Sequence, residues 1–357
     1  MANTDFYTIC NLAAITSLRN AIMTLIEKAW YQGHKIAWLL LPLSGLFYLL
    51  SSIRRLLFKL GVKQSYHPQI PVIVVGNISV GGTGKTPFTI WLVEQLKQAG
   101  YKPAIVTRGY GNTLSAYPHV VKNNDAAQLV GDEPKLLAEN CQVPVVIAPK
   151  RIDAAKTAKA LGCNVVISDD GLQHYALQRD IEIILLDAKR GLGNGWLLPA
   201  GPLREGKWRL SSTKFVLYNC GANLPEDCLL EEQRSQALMI SADEPRNMLE
   251  PELSYDKSAS CNAVCAIGNP QRFYNSLAQC DIQIGDSKEF IDHHQFTEAD
   301  FHFTHQRPVI MTEKDAVKCR HFAKQHFWFL PIEAKVNPIF KNNLINQLTE
   351  LKTKYDI

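Results

Sequence analysis

Short apolar runs and longer stretches with helical spacing alternate along the chain after about residue 64. The apolar runs have the length of strands: Val72–Val75, Ala104–Thr107, Val145–Ala148, Val165–Ser168, Ile181–Leu186 and Lys214–Leu217. The helix-like stretches between them include Thr86–Ala99, Glu133–Asn140 and Arg151–Leu161. This alternation predicts an α/β fold with a mostly parallel sheet. Ligands of such sheets bind at the carboxyl ends of the strands, and we expect the functional residues there.

A second, smaller set of elements follows a polar, turn-rich stretch from about residue 221 to 261. Its members are Ala263–Ile267, Gln271–Gln279, a histidine-rich turn at 292–305, Val309–Thr312 and Phe327–Pro331. We therefore predict three parts of the chain. They are an N-terminal segment over 1–63, an α/β core over 64–255 and a smaller C-terminal α/β lobe over 256–357.

The N-terminal segment contains a charge-free run from Ile36 to Ile53, which is at the short end for a membrane span. Its flanks are basic, with Lys28, Lys35, Arg54, Arg55, Lys59 and Lys63. Trp30, Tyr31 and Trp38 suit a membrane interface. Three interpretations stay open: a transmembrane helix, a helix lying in the interface, and a buried core helix.

Composition narrows the possible partners. The formal net charge of the 357 residues is only +4 and no long basic run occurs, which argues against a nucleic-acid partner. The nine cysteines are scattered, without the spacing of a zinc or redox motif. We therefore expect reduced thiols in a cytosolic compartment.

The stretch Pro71–Pro87 reads as an apolar strand, a glycine-rich turn and the start of a helix. Glycines at 81, 82 and 84 allow successive backbone N–H groups to surround an anion. The positive N-terminal end of the helix that follows points at the same anion. Lys85 and Thr86 match the lysine that binds phosphates and the hydroxyl that binds Mg²⁺. Ser79 stands where the general pattern has glycine. The stretch predicts a loop that binds a nucleoside triphosphate.

Acidic residues end two of the predicted strands. Asp169 and Asp170 follow one strand and lead into a polar run that ends at His174, whereas Asp187 follows another. Phosphoryl transfer needs carboxylates that hold the metal ion bridging the phosphates. We favour Asp169 and Asp170 for this role and keep Asp187 as the alternative.

Two further groups suggest acid–base chemistry. Asp132 and Glu133 precede a predicted helix, where acids also serve as helix caps. Asp292, His293 and His294 lie together but lack the spacing of a metal site, so an Asp–His pair acting on a hydroxyl is the better hypothesis. The run from Thr312 to Asp315 resembles a guanine-recognition motif, but Glu313 occupies the lysine position, which argues against a GTPase.

The whole chain resembles the tetraacyldisaccharide 4′-kinases of lipid A biosynthesis. The resemblance runs from about Trp38 to about residue 335 and rests on seven motifs in one order: GNISVGGTGKTP, TRGYG, GDEP, SDDGLQH, GNGWLLPAGPLRE, IDHHQF and MTEKDAVK. It implies a P-loop NTPase-like fold and ATP-dependent phosphorylation of the 4′-hydroxyl of a lipid-linked glucosamine disaccharide 1-phosphate. It also implies Mg²⁺, a membrane-associating N-terminal helix and the cytoplasmic face of a bacterial inner membrane, with no obligate protein partner.

The resemblance also assigns site residues by position. The catalytic residues are Asp132, His293 and Lys85, with the carboxylate accepting the proton of the acceptor hydroxyl. The ATP-binding residues are Ser79, Val80, Gly81, Gly82, Thr83, Gly84, Lys85 and Thr86. The metal-side residues are Thr86, Asp169 and Asp170. The substrate-side residues are Glu133, Arg108, Tyr110, Arg151, His174 and Glu205.

One other function deserves comparison. Membrane-recruited ATPases that organise partners carry a similar loop, but their additional lysine falls at Val80 in this chain. This difference favours a kinase over an ATPase switch.

Overall fold

The computed structural model describes residues 25–221 and 235–356, which contain two β-sheets of nine and five strands. The strands are β1 (Val72–Gly76), β2 (Pro103–Thr107), β3 (His119–Val120), β4 (Val145–Ile147), β5 (Val165–Asp169), β6 (Ile181–Asp187), β7 (Phe215–Asn219), β8 (Ser235–Ala242), β9 (Arg246–Asn247), β10 (Cys261–Cys265), β11 (Ile284–Glu289), β12 (Val309–Thr312), β13 (Phe327–Leu330) and β14 (Ile332–Val336).

The named α-helices are α1 (Ile36–Leu39), α2 (Leu41–Lys59), α3 (Lys85–Gln98), α4 (Ala127–Val130), α5 (Asp132–Cys141), α6 (Arg151–Ala160), α7 (Trp208–Ser211), α8 (Pro270–Gln279), α9 (Glu313–Cys319) and α10 (Pro338–Tyr355). Residues 25–31 are also helical. Two short 3₁₀ turns, Glu298–Phe301 and Arg320–Phe322, flank β12 and α9 along the chain.

The larger sheet has the order β14-β8-β7-β6-β1-β5-β2-β4-β3. Its seven inner strands are parallel, and β14 and β3 pair antiparallel at the two edges. Val75 of β1 is in register with Asp169 of β5, the last residue of that strand. The carboxyl ends of β1, β5, β2 and β6 therefore meet at one edge of the sheet.

The apolar runs form strands because helices bury them, as is usual in parallel sheets. All five residues of β1 are buried. Phe88 of α3 and Phe340 of α10 pack on this core with ring centroids 6.2 Å apart, and Phe340 also contacts Phe215 of β7. The predicted α/β fold with a mostly parallel sheet is confirmed.

The smaller sheet has the order β11-β10-β12-β13-β9, with β9 as its antiparallel edge. It therefore begins before residue 256, whereas β14 and α10 return to the larger sheet and its core. The described part of the turn-rich stretch 221–261 contains β8 and β9, neither of which was among the predicted strands. The sequence pattern is weak there because the apolar run of β8, Ala237–Ile240, lies within a polar stretch and β9 has only two residues. The three-part division of the chain stays a prediction.

The N-terminal helices belong to a compact unit that comprises residues 25–62, 78–80 and 189–212 of the described chain. Within it, the Ser44 hydroxyl of α2 donates to the Leu197 carbonyl and accepts from the Ala200 N–H, both at 2.9 Å. Trp38 packs edge-to-face on Trp196, with ring centroids 5.0 Å apart.

Helix α2 is long and apolar enough to cross a membrane, and it alone among the described residues meets that criterion. Ser44 is its one buried residue, whereas Leu43, Leu46, Leu49 and Leu50 are each more than half exposed. The interpretation as a buried core helix is therefore wrong. An apolar helix with this much exposed surface is typical of contact with a membrane or another protein.

Candidate active site

The glycine-rich turn after β1 forms a narrow loop that leads into α3. Gly84 has φ +88°, and a Cβ atom there would lie 2.4 Å from the Cδ1 atom of Ile240, so only glycine fits. Asn219 donates to the Thr83 carbonyl at 3.3 Å, and Asn77 donates to the Gly81 carbonyl at 3.2 Å. Two asparagines thus hold the loop at the amino end of α3, which favours an anion.

Ser79 and Val80 belong to the other compact unit, with the loop over 189–212. Ser79 pairs as an antiparallel bridge with Leu203, and the Val80 N–H donates to the Pro202 carbonyl at 2.9 Å. An extended, strand-like backbone accepts any side chain, which explains why serine replaces the glycine of the general pattern.

Two adjacent carboxylates face the lysine of the loop. Lys85 Nζ lies 3.6 Å from Asp170 Oδ1. Asp169 is buried, and burial together with the charges of Glu133 and Asp170 raises its pKa to about 7. The predicted phosphate-binding lysine and the predicted metal-side acids are therefore close together.

Asp187, the alternative metal-side acid, has a different environment. Its carboxylate forms an ion pair with Arg272 of α8. The same guanidinium donates through Nη1 to the Gly82 carbonyl at 2.8 Å. Asp187 therefore contacts an arginine that also contacts the phosphate-binding loop.

Asp132 and His293 are 161 residues apart in sequence, and their side chains meet. Asp132 Oδ2 lies 2.9 Å from His293 Nδ1. The carboxylate is 4% exposed and the imidazole 31% exposed, so the histidine is the outer member of the pair. The Tyr110 ring lies 5.3 Å from the His293 ring. The predicted Asp–His pair is thus present as a contact.

Local backbone geometry brings this pair together. Asp132 is the first residue of α5, and Gly131 before it has φ +94°. A Cβ at Gly131 would lie 2.8 Å from the Tyr110 carbonyl, so glycine permits α5 to start beside the turn after β2. His293 itself has φ +65°, a left-handed conformation that is uncommon for residues other than glycine. Asp132 is not the helix cap.

The charge state of Asp132 follows from its neighbours. Burial raises its pKa, but the hydrogen bond with His293 and the charges of Lys318 and Lys314 outweigh burial and lower the pKa below its usual value. An ionised carboxylate can only accept a hydrogen bond, so His293 Nδ1–H is the donor. In the neutral ring, Nε2 then carries the lone pair.

Sequence reasoning missed two lysines of α9. Lys314 Nζ lies 3.2 Å from Asp292 and 3.6 Å from Glu133, and the side chain of Lys318 is fully buried. Both belong to the run MTEKDAVK, one of the seven motifs of the resemblance, but neither lysine was assigned to the site. The available signal was a lysine three residues after Asp315, at helical spacing.

Arg151 is, with Glu205, one of the two buried residues of the predicted substrate-side set. It is 4% exposed and donates through Nη2 to the Asp169 carbonyl at 2.9 Å. Its Nε and Nη1 atoms have no hydrogen-bond partner among the described residues. Burial lowers its pKa to about 10, which leaves it charged at neutral pH. Such a group is suited to an anionic ligand.

The remaining substrate-side residues are more scattered. Arg108 and Tyr110 are exposed in the turn after β2, and the charge of Arg108 reaches Arg151. His174 closes the turn after β5, with its N–H donating to the Gly171 carbonyl at 2.9 Å. Glu205 lies in the other compact unit, where it is buried and pairs with Arg209 at 3.0 Å.

The chain is similar to known proteins over most of its length. A family model described as Tetraacyldisaccharide-1-P 4′-kinase matches residues 36–349. The chain belongs to this family. Tetraacyldisaccharide 4′-kinase of Shewanella frigidimarina is 47% identical over 331 residues, which cover 92% of this chain and 96% of the relative. That of Colwellia psychrerythraea is 44% identical over 335 residues, covering 91% and 97%.

A solved structure of the same family has the same fold. LpxK from Aquifex aeolicus, crystallised in complex with ATP, is 27% identical and superposes with a TM-score of 0.77. The match covers 88% of this chain and 99% of that one. The resemblance inferred from the seven motifs is confirmed.

Replacing Asp169 with asparagine should raise the thermal midpoint of the protein without ligands, and more so at about pH 8 than at about pH 5. The pKa of about 7 in the folded protein exceeds the usual 3.8, so the wild type loses stability as the pH rises between these two values. Asparagine cannot ionise and removes that loss. Calorimetry without nucleotide or divalent metal measures both midpoints.

The matched control is Asp286→Asn at an exposed position, which should differ little from the wild type at either pH. If Asp169→Asn raised the thermal midpoint by the same amount at both pH values, the raised pKa of Asp169 would be contradicted.

Proposed function

We propose that this chain transfers the γ-phosphoryl group of ATP to the 4′-hydroxyl of a tetraacylated glucosamine disaccharide 1-phosphate, a step of lipid A biosynthesis. Membership of the family supports the reaction. The observation that carries the mechanism is the 2.9 Å contact between Asp132 and His293, beside the acids that face Lys85. Glu133, the neighbour of Asp132, acts electrostatically on Asp169, so the two groups share one region.

The triphosphate binds to the loop that precedes α3. Backbone N–H groups from Gly81 to Thr86 and the amino end of α3 surround its phosphates. Lys85 supplies a charge-assisted hydrogen bond to the group in transfer, where negative charge spreads over the phosphoryl oxygens. Its present contact with Asp170 at 3.6 Å is an ion pair that a phosphate would share.

His293 accepts the proton of the acceptor hydroxyl, and Asp132 orients and stabilises the resulting imidazolium. Resemblance alone suggested the opposite order, with the carboxylate as the acceptor. Burial argues for this order, because Asp132 is 4% exposed whereas His293 is 31% exposed. The Nδ1–H donated to Asp132 leaves Nε2 as the basic atom.

The residues present suit Mg²⁺. Burial and the nearby charges of Glu133 and Asp170 raise the pKa of Asp169, and a divalent cation would lower it again. No group of three or more possible ligands lies together within 25–221 and 235–356, but Mg²⁺ in kinases needs only one or two carboxylates beside the phosphates and water. Thr86, Asp169 and Asp170 would hold it, and it would neutralise charge on the β- and γ-phosphates.

The enzyme works at the cytoplasmic face of the inner membrane, where both ATP and the lipid acceptor are accessible. The exposed leucines of α2 and its basic flank support binding in the interface of an anionic bilayer. Such binding raises the concentration of a lipid acceptor near the site.

His293→Ala should lower kcat by about 10²- to 10⁴-fold, with little change in the KM for ATP, because it removes the general base. Asp132→Ala should also lower kcat, and the kcat of the double variant should be little lower than that of the slower single variant. The assay follows labelled γ-phosphate from ATP, with Mg²⁺, into the disaccharide 1-phosphate lipid and locates it on the product.

His119→Ala is the matched control, since His119 pairs with Asp125 at 2.7 Å but lies on β3, outside the site. It should keep nearly full activity. ATP turnover that does not depend on the lipid, or a phosphate at another position, would contradict the proposed reaction; strict additivity of the two changes would contradict the pair.

Leu46→Glu/Leu50→Glu should reduce sedimentation with vesicles of phosphatidylethanolamine and phosphatidylglycerol. Both leucines are more than half exposed on α2, and burial of each in a membrane contributes about 1.5–3 kcal/mol. Activity should fall most on substrate presented in vesicles and least on substrate dispersed in detergent.

Leu161→Glu/Leu253→Glu changes two exposed leucines outside the N-terminal segment and provides the control. If both double variants sediment with the vesicles as fully as the wild type, the membrane contact does not lie on α2.

A further inference from the structure

Lys318 is a fully buried charge that the mechanism above does not use. Its side chain on α9 has no exposed surface, and its Nζ lies 2.7 Å from Asp315 Oδ1. Asp315 is fully buried as well. A buried ion pair is costly, and uncharged residues of similar size often give equal or greater stability at such positions. Stability alone therefore does not explain this lysine.

The same ammonium group reaches both elements that carry the Asp132–His293 pair. Lys318 Nζ lies 4.0 Å from Asp132 Oδ2, the oxygen that also contacts His293. It also lies 4.7 Å from the ring centroid of Phe296, within the range of a cation–π contact. Phe296 follows His293 by three residues. The lysine thus contacts the carboxylate on one side and the turn that carries the imidazole on the other.

The ion pair with Asp315 fixes the position of the Lys318 ammonium group. Asp315 Oδ2 accepts hydrogen bonds from the Ala266 N–H at 2.9 Å and from the Thr312 hydroxyl at 2.6 Å. Since these two partners lie at the ends of β10 and β12, the carboxylate is fixed to the smaller sheet. The ammonium group is therefore held at a defined position relative to that sheet.

We propose that Lys318 is the positioning residue of the Asp132–His293 pair. It keeps the buried Asp132 ionised, in the orientation that accepts the Nδ1–H of His293, and aligns the histidine turn through Phe296. This inference rests on the proposed function and adds a residue that acts through Asp132 without touching the reacting atoms.

The test is the double variant Lys318→Met/Asp315→Asn, because Lys318→Met alone would leave the Asp315 carboxylate buried without its cation. The double variant keeps the interior neutral and retains an acceptor for the Ala266 N–H. We expect cooperative unfolding, a kcat lowered about tenfold or more, and an unchanged KM for ATP.

Lys135→Met is the matched control. Lys135 is a buried lysine on α5, three residues after Asp132, but its ammonium binds the Asn123 carbonyl at 2.7 Å and Glu139 at 3.4 Å. This variant should lose stability and keep its kcat.

The double variant is then combined with Asp132→Asn. If Lys318 acts through the charge of Asp132, the combination should be no slower than Asp132→Asn alone. A folded double variant with wild-type kcat would overturn the role of Lys318, as would fully additive losses. Wild-type kcat in Asp132→Asn itself would instead overturn the proposed function of the pair, so the two failures are distinguishable.

Discussion

The contact between Asp132 and His293 is the constraint on which the proposed chemistry depends. It joins the first residue of α5, a helix beside the larger sheet, to a turn that follows the edge strand β11 of the smaller sheet. Neither side chain has its function alone: a buried carboxylate cannot reach a substrate, and an unpartnered imidazole has neither a fixed tautomer nor a fixed orientation. The left-handed backbone of His293 and the glycine before Asp132 are the local features that permit the contact.

The packing around the site also determines the charge states of its two buried acids, Asp132 and Asp169. Burial opposes ionisation of Asp132, but the hydrogen bond with His293 and the charges of Lys318 and Lys314 lower its pKa, whereas burial and the charges of Glu133 and Asp170 raise the pKa of Asp169 to about 7. Two acids near the same sheet edge thus have opposite environments. Such divergence is typical of sites in which one carboxylate orients a base and another binds a cation. Arg151 is buried, two of its nitrogens have no hydrogen-bond partner among the residues that the structure describes, and it is suited to a further anion.

The sequence predicted the larger sheet well, because buried parallel strands are continuous apolar runs and their ends carry the loop, Asp169 and Asp187. It did not predict β8, whose apolar run lies within a polar stretch, or β9, which has only two residues. The resemblance assigned Asp132 and His293 to the catalytic residues together, but no local pattern predicts which member of such a pair is buried. Lys318 was missed because Asp132 and Phe296 are distant from it in sequence and only tertiary packing brings the three together. Ser79 departs from the glycine of the general phosphate-loop pattern, and its strand-like pairing with Leu203 explains why serine is accepted there.

The central claim is that His293 accepts the proton of the hydroxyl that attacks the γ-phosphorus. The most direct measurement is a crystal structure of the ternary complex with Mg²⁺, a non-hydrolysable ATP analogue and the disaccharide 1-phosphate lipid. The account predicts that the 4′-oxygen lies about 3 Å from His293 Nε2 and about 3–3.5 Å from the γ-phosphorus, with the phosphates on the loop before α3. A 4′-oxygen in hydrogen-bond contact with another side chain, with His293 out of reach, would contradict it.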